Sequence, residues 1–427
     1  MKLLILPHQL FLEKYLDGYE DIIIYEHPQY FKKYKFNKKK LILHRASMKY
    51  YFDYLKEKKF NVTYIEFNKK LPLNNYIFFD PIDKIKLKGD MIETPNFILN
   101  KEIFKKYREK TDKFTFTNFY MWSKKEINLY STLKSQDKLN RERYNDKIKI
   151  PKLPSNKSDS NYIKEAIKYV NKHFKNNYGN TDNFIYPVTH KTAKKWLSNF
   201  LKKRLDNFGP YQDFVKKDEN YMYHSILSSS INIGLLNPIE IIEELKKYKS
   251  KVKINSFEGY LRQLFWREYQ RYCYIYVDFN KNYFGNKKKL SPKWYNGDLG
   301  IQPVDDLIKS GFNTGYIHHI GRLMFIGNFM NLSGISPKEG FKWFMEFSID
   351  SYEWVMFQNV LDMVFFVTGG KTMRKPYVTS SNYILKMSNY KKGEWSENWN
   401  NLYNKFMIKH KQKLWKYRYH FPKLKTL

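Results

Sequence analysis

The residues best placed to do chemistry fall in three short segments. Tyr316-Ile317-His318-His319-Ile320-Gly321-Arg322 sets two adjacent histidines four and three positions before an arginine, in an otherwise apolar stretch. Read as a helix, it brings His318, His319 and Arg322 towards one site, because residues three and four apart are neighbours there. Histidine moves protons near neutral pH, and arginine holds negative charge. Gln263 and Arg267, four apart around Trp266, share one face of a second helix. His224-Ser225-Ile226-Leu227-Ser228 offers small hydroxyls and backbone N–H groups near a helix start, a combination that can hold a pyrophosphate. Each segment has a plainer explanation when taken alone: a satisfied core histidine, an amphipathic helix, an N-cap.

These segments need elements to position them. Residues 2–7, 21–26, 61–67 and 76–80 are apolar or β-branched runs bounded by turn residues, and read as strands. Residues 46–58 put Met48, Tyr51, Phe52 and Leu55 on one helical face. Strand–helix–strand alternation predicts a parallel α/β sheet, without the glycine fingerprint of a dinucleotide-binding turn. Residues 136–160 are polar, contain Pro151 and Pro154, and read as linker. Helices are predicted over 163–175, 191–207, 238–248, 257–276, 315–332 and 337–347. The expected architecture is an α/β domain over 1–135, an interdomain connector over 136–185 and a large all-α domain over 186–427.

The 427 residues carry 77 Lys and Arg against 42 Asp and Glu, a formal charge of +35. That favours a polyanionic partner, nucleic acid ahead of an acidic protein or an anionic membrane. Lysine runs such as Lys38-Lys39-Lys40 and Lys287-Lys288-Lys289 read as solvated surface. Aromatic residues make up 19%, which argues against disorder. Cys273, the single cysteine, excludes an intramolecular disulfide and any cysteine-held metal or cluster. No apolar run is long enough to span a bilayer, and Pro7, His8 and Gln9 interrupt the apolar start, so a signal peptide is not expected. The expectation is an intracellular protein with no membrane partner.

Taken together and in order, the segments resemble the photolyase/cryptochrome flavoproteins. His224-Ser225-Ile226-Leu227-Ser228, followed by Asn232, Gly234 and Leu236-Asn237-Pro238, is similar to that family's Thr-Ser-x-Leu-Ser and Gly-x-Leu-Ser-Pro run. Trp266-Arg267-Glu268-Tyr269 resembles its Trp-Arg-Glu-aromatic motif, and Tyr316–Arg322 its Trp-Ile-His-His-x-x-Arg run. Asp350 matches the carboxylate that pairs with this arginine beside the flavin. Phe208 to Asp213, Lys375-Pro376-Tyr377 and Met387-Ser388-x-Tyr390 resemble the bacterial branch that carries an iron–sulfur cluster. The cluster cysteines are missing: Pro303, Lys391, Glu394 and Asn398 stand at the matching positions, and packing around Trp395 and Trp399 is expected instead. Met356 falls where cyclobutane-dimer photolyases carry an asparagine beside flavin N5.

The resemblance implies a light-driven carbon–carbon lyase that uses reduced FAD to split ultraviolet lesions in DNA. Ser225, Leu227, Ser228 and Arg267 would hold the cofactor's phosphates and neighbouring groups. Arg322 and Asp350 would flank its ring, with Met356 near N5. Gln263, Trp266, Tyr377 and Tyr383 would receive the flipped lesion with His318 and His319, and Trp343 and Trp294 would relay electrons. His318 matches the first histidine of the animal (6-4) enzymes, and Leu323 stands at their second. The (6-4) photoproduct is preferred over the cyclobutane dimer, because its repair needs proton movement. A cryptochrome-like photosensor, a light-independent flavoprotein and a cofactor-free nucleic-acid protein are the alternatives. The lack of a long segment after the helical domain counts against the sensor. A lumazine-type antenna, no iron–sulfur cluster and a monomer complete the expectation.

Overall fold

The computed structural model describes residues 2–72 and 75–426. Five parallel strands, β1 (Lys2–Ile5), β2 (Asp21–Tyr25), β3 (Asn61–Ile65), β4 (Tyr76–Phe79) and β5 (Gly89–Ile92), form one sheet in the order β3-β2-β1-β4-β5. The register sets Leu4 of β1 beside Ile23 of β2 on one side and Phe78 of β4 on the other. β1 and most of β2 are buried, as expected of unbroken apolar runs in a parallel sheet. Four strands occupy the expected places. β5 was not expected: its sequence, Gly-Asp-Met-Ile, is short and leaves three of four residues exposed at the edge.

The first helix is longer than its apolar face predicts. It runs Lys38–Glu57 and starts where the Asn37 side chain accepts from the Lys39 N–H at 2.9 Å. The lysine run there is therefore not solvated. Lys39 and Lys40 are buried, with the Lys40 ammonium donating to the Ser351 carbonyl and hydroxyl, and Lys39 to Asn180 and Asp182. Lys287, Lys288 and Lys289 are exposed, as read. Within the stretch read as connector, helix Ser160–His173 packs on Lys38–Glu57. Glu165 takes Arg45, and the Tyr169 hydroxyl donates to Glu26 at 2.7 Å.

Helices Lys101–Lys110 and Phe116–Glu126 follow the sheet but lie against the long helix Ile254–Tyr276. Tyr120 donates to Glu258 at 3.0 Å, and Phe119 meets Tyr269. The helix predicted over 191–207 is two, His190–Lys203 and Leu205–Tyr211. They break at Arg204, whose guanidinium donates to the carbonyls of Met222 and Pro151. The helix predicted over 315–332 begins only at His319, since 316–318 are irregular, and it is a π-helix over Gly321–Gly327. A second π segment, Phe357–Val364, packs against it at Gly327, where an added Cβ would sit 2.6 Å from Val364. π turns are rare and recur at functional sites. No helix among the described residues is long and apolar enough to cross a membrane.

Candidate functional site

Three cavities meet in the helical part. Two inner ones, about 220 Å³ each, share Ser225, Ser228, Tyr260, Arg322, Asp350 and Met356. A wider outer one, about 580 Å³, joins them at Gln263 and Asn359, the two amides that line all three. Gln263 comes from the long helix and Asn359 from the second π segment.

The inner wall is built on one ion pair. Arg322 donates from Nη1 to Asp350 Oδ1 at 2.9 Å and from Nη2 to Oδ2 at 3.2 Å, while its Nε donates to the Ile317 carbonyl. The Asp350 carboxylate also accepts from Ser228 at 2.6 Å and from Ser348, and its backbone carbonyl accepts from Asn232. Burial pushes the Asp350 carboxyl up, but Arg322 and the two hydroxyls outweigh burial and hold it below its ordinary value. Three of the five guanidinium N–H groups are used, and two remain at the cavity.

The segment 224–228 borders this pair through Ser228. Ile226 has φ +57°, unusual for a β-branched residue and worth about 1–3 kcal/mol of backbone strain. The helix that follows, Ser228–Asn232, is only a short turn, so its dipole adds little. Gly234 has φ +89°, and a Cβ there would strike Phe11 at 2.7 Å, which ties the turn to the α/β part. Arg267 reaches the second cavity, but much of its donor set is taken. Nε donates to Asn232 at 3.1 Å and Nη1 to the Asn96 carbonyl at 2.7 Å. Burial lowers its pKa to about 10.

The histidines sit between inner and outer cavities. His318 lines an inner cavity; His319 lines that one and the outer one. His318 stands at the start of the helix, one residue before its first helical position. The irregular stretch 316–318 leads in, and the bond from the Arg322 N–H to the His318 carbonyl, which spans four residues, closes the first helical turn over His318, His319 and Arg322. Burial lowers the His318 pKa to about 3, so the ring is neutral. His319 Nε2 lies 3.1 Å from Asp213, which is also paired with Arg141 at 2.8 Å. His224 stacks on His318, and His224 Nε2 and His318 Nδ1 are both buried without a partner.

Of the residues singled out from sequence, Ser225, Leu227, Ser228, His318, His319, Arg322, Asp350 and Met356 line the first cavity. Trp266, Tyr377 and Tyr383 line the outer one, with Arg141, Arg262 and Lys375. Trp343 and Trp294 line none of the three. They are buried and joined, with Trp343 Nε1 donating to the Trp294 carbonyl at 2.8 Å, and Trp343 meets Phe344 of the cavity wall at 5.2 Å. His224, Tyr260 and Asn359 were missed as site residues. A histidine at the head of the serine segment was the one visible signal. Cys273 is buried in the long helix. Near the positions matched to cluster cysteines, Tyr390 donates to Asp306 and Trp395 donates to the Lys391 carbonyl.

The family model described as deoxyribodipyrimidine photo-lyase-related protein matches residues 3–86 and 78–186. A (6-4) photolyase of Agrobacterium fabrum (strain C58 / ATCC 33970) is 38% identical over 235 residues, 53% of this chain and 46% of that protein. Uncharacterized protein R853 of Acanthamoeba polyphaga mimivirus is 44% identical over 110 residues, 25% of this chain and 85% of that one. Over residues 3–186 the chain is similar to the photolyase-related family. A crystal structure of a bacterial class III photolyase from Agrobacterium tumefaciens superposes with a TM-score of 0.58. It covers 95% of this chain and 86% of that one at 14% identity, which establishes a common fold. The α/β sheet followed by a helical domain, expected from sequence, is the photolyase fold. The chain spans about half the length of the curated photolyase it matches.

Proposed function

We propose that this protein is a light-dependent DNA photolyase that holds FAD in the inner cavities and splits an ultraviolet lesion in the outer one. The observation that carries this reading is the junction at Gln263 and Asn359. There a largely apolar chamber with an Arg322–Asp350 pair opens into a wider cavity bearing aromatic and basic side chains. The inner chamber suits a folded flavin dinucleotide. Ile226, Leu227, Tyr260, Phe344 and Met356 give apolar walls, and the unpartnered His224 Nε2 and His318 Nδ1 await polar contacts. A reduced flavin bound there would supply blue-light absorption and an electron for the lesion.

The chain's own residues do the rest. Arg322 places positive charge beside the ring, and Asp350, pinned by Ser228 and Ser348, fixes its plane. Met356 presents a thioether with no proton to donate, so hydrogen bonding at that edge falls to other side chains. Ser225 and the backbone around Leu227 lie where phosphates would pass, and Arg267 adds one remaining donor group. Trp266, Tyr377 and Tyr383 offer stacking surfaces to a flipped base, while Arg141, Arg262 and Lys375 suit phosphates. His318, kept neutral by burial, suits a hydrogen-bonding role at the lesion, and His319, paired with Asp213 and lining both cavities, is the histidine placed to move a proton. That pairing favours the (6-4) photoproduct over the cyclobutane dimer. Trp343 and Trp294 suit an electron relay. With one cysteine, a four-cysteine cluster has no ligands. The crevice between β1 and β4, where an open α/β sheet takes a ligand, is bridged by His8 to the Pro81 carbonyl and Gln9 to the Phe79 carbonyl, so an antenna is left out of the proposal.

The test is chromatography of an oligonucleotide carrying a (6-4) photoproduct after matched light and dark incubations with reduced, FAD-loaded protein. Light-dependent return of the two pyrimidines is expected. Repair of a cyclobutane dimer alone would reassign the lesion, and repair of neither would favour a photosensor.

A further inference from the structure

Residues 398–427 contain eight Lys and Arg and no Asp or Glu, the last acid before them being Glu397. This stretch is folded onto the body. Leu414, Phe421 and Leu424 are buried, the Tyr283 hydroxyl donates to the Lys413 carbonyl at 2.7 Å, and Tyr417 donates to the Gly369 carbonyl at 2.7 Å. What it turns outward is unlike the rest of the protein. Among the described residues, Trp415 (47%) and Tyr419 (77%) are the only large aromatic side chains left exposed. Arg418 lies against both, its guanidinium 5.4 Å from the Trp415 ring and 4.8 Å from that of Tyr419, with Nη1 donating to the Trp415 carbonyl. Lys409 and Lys411 are exposed in the same stretch, as are Lys413 and Lys416, whose ammonium groups also donate to the carbonyls of Tyr283 and Gly369.

We infer that this face is a second nucleic-acid surface, separate from the lesion cavity, which binds single-stranded DNA by stacking bases on Trp415 and Tyr419 while the lysines neutralise its phosphates. Rings interleaved with cations are how unpaired strands are held without sequence preference. Duplex bases are already stacked, so exposed rings gain base contacts only from unpaired nucleotides. A membrane surface fits less well, because Leu414, Phe421 and Leu424 are buried and Ile408 (61%) is the one aliphatic side chain of the described stretch left exposed, too little apolar surface to insert. The surface is also anchored to the frame of the outer cavity. Helix Glu394–Lys409, which leads into it, is fastened to the cavity rim by Trp399 Nε1 donating to the Thr379 carbonyl at 2.9 Å.

The inference does not rest on the photolyase reading, and its test needs neither light nor lesion. Binding of the full chain to undamaged oligothymidylate is followed by fluorescence anisotropy across a salt series. Trp415→Ala/Tyr419→Ala should weaken binding at least about fivefold with the salt slope kept. Lys409→Ala/Lys411→Ala should reduce the slope by about 1.4, two charges on a single strand. If the aromatic pair fails to fold, the lysine pair still reads the slope. Wild-type affinity and slope in both folded pairs would overturn the inference. So would loss of binding to phosphatidylserine vesicles in the aromatic pair with oligothymidylate binding intact.

Discussion

The rings of His224 and His318 lie face to face, centroids 4.6 Å apart and 17° from parallel. Both are buried, and burial holds both pKa values below the ordinary histidine range. Two neutral rings can stack where two cations could not, so His224 serves as a platform that sets the plane of His318. His224→Phe keeps a flat face and should retain most lesion repair. His224→Ala frees the His318 ring and should lower the repair yield on the order of tenfold while DNA binding holds. Equal yields from the two variants would remove the platform role.

Asp350 is the hub of the inner wall. Asp350→Ala leaves the Arg322 guanidinium buried without its counter-charge and strips the acceptor from Ser228 and Ser348. Breaking such a pair costs about 3–5 kcal/mol. Chemical denaturation should show a loss of that order, with poorer flavin retention. Unchanged stability and flavin content would mean that the pair is not central.

Acid should destabilise the fold well before the carboxylates of ordinary pKa titrate. Burial lowers His8 to about 3, His190 to about 4 and His318 to about 3. Above the unfolded value near 6.5 these rings are neutral in both states. Below it the unfolded chain takes up protons that the folded chain refuses, so stability falls as pH drops towards 4, by up to about 1.4 kcal/mol per pH unit for each ring. Asp83 and Glu268, raised by burial to about 7, bind protons on folding in this window and offset part of the loss. His27, His44, His224 and His410 are lowered by burial too, so the histidines outnumber them. Asp350, whose pKa is depressed, keeps its contribution throughout. Melting temperature should therefore decline steadily from pH 6.5 to 4, and a flat profile there would contradict the buried neutral histidines.

The order of the elements was legible because unbroken apolar strands and long amphipathic helices announce themselves. β5 was not, because an exposed four-residue edge strand carries almost no apolar signal. Lys39 and Lys40 misled for a physical reason: an ammonium is usually solvated, and only backbone carbonyls and side-chain oxygens from distant segments, Ser351, Asn180 and Asp182, make their burial tolerable. The grouping of His318, His319 and Arg322 was legible from their spacing, but its surroundings were not. Their sequence spacing suggested one helical turn, and the bond from the Arg322 N–H to the His318 carbonyl closes that turn; the irregular entry before it and the π segment after it carried no sequence signal. His224 and Asn359 could not be found by motif, since one depends on a stacking partner 94 positions away and the other on the altered helical register.

That register matters most at Met356 and Asn359. Met356 lines the two inner cavities, whereas Asn359 reaches those two and the outer one, with its Nδ2 donating to the Val355 carbonyl at 2.8 Å. An amide held in that way by its nitrogen turns its oxygen, a strong acceptor, to the junction; the Met356 thioether is a weak one. Met356→Leu conserves volume and apolar character, so it should cost under about 1.5 kcal/mol and leave flavin occupancy and repair close to those of the parent. Asn359→Leu removes the one polar group of this segment that faces both flavin and lesion cavities and leaves the Val355 carbonyl short of a donor. It should lower flavin per chain, measured by visible absorbance after gel filtration, and cut repair on the order of tenfold. Folding is checked by melting temperature in both variants. If Met356→Leu disables the protein while Asn359→Leu behaves like the parent, the thioether and not the amide governs the junction.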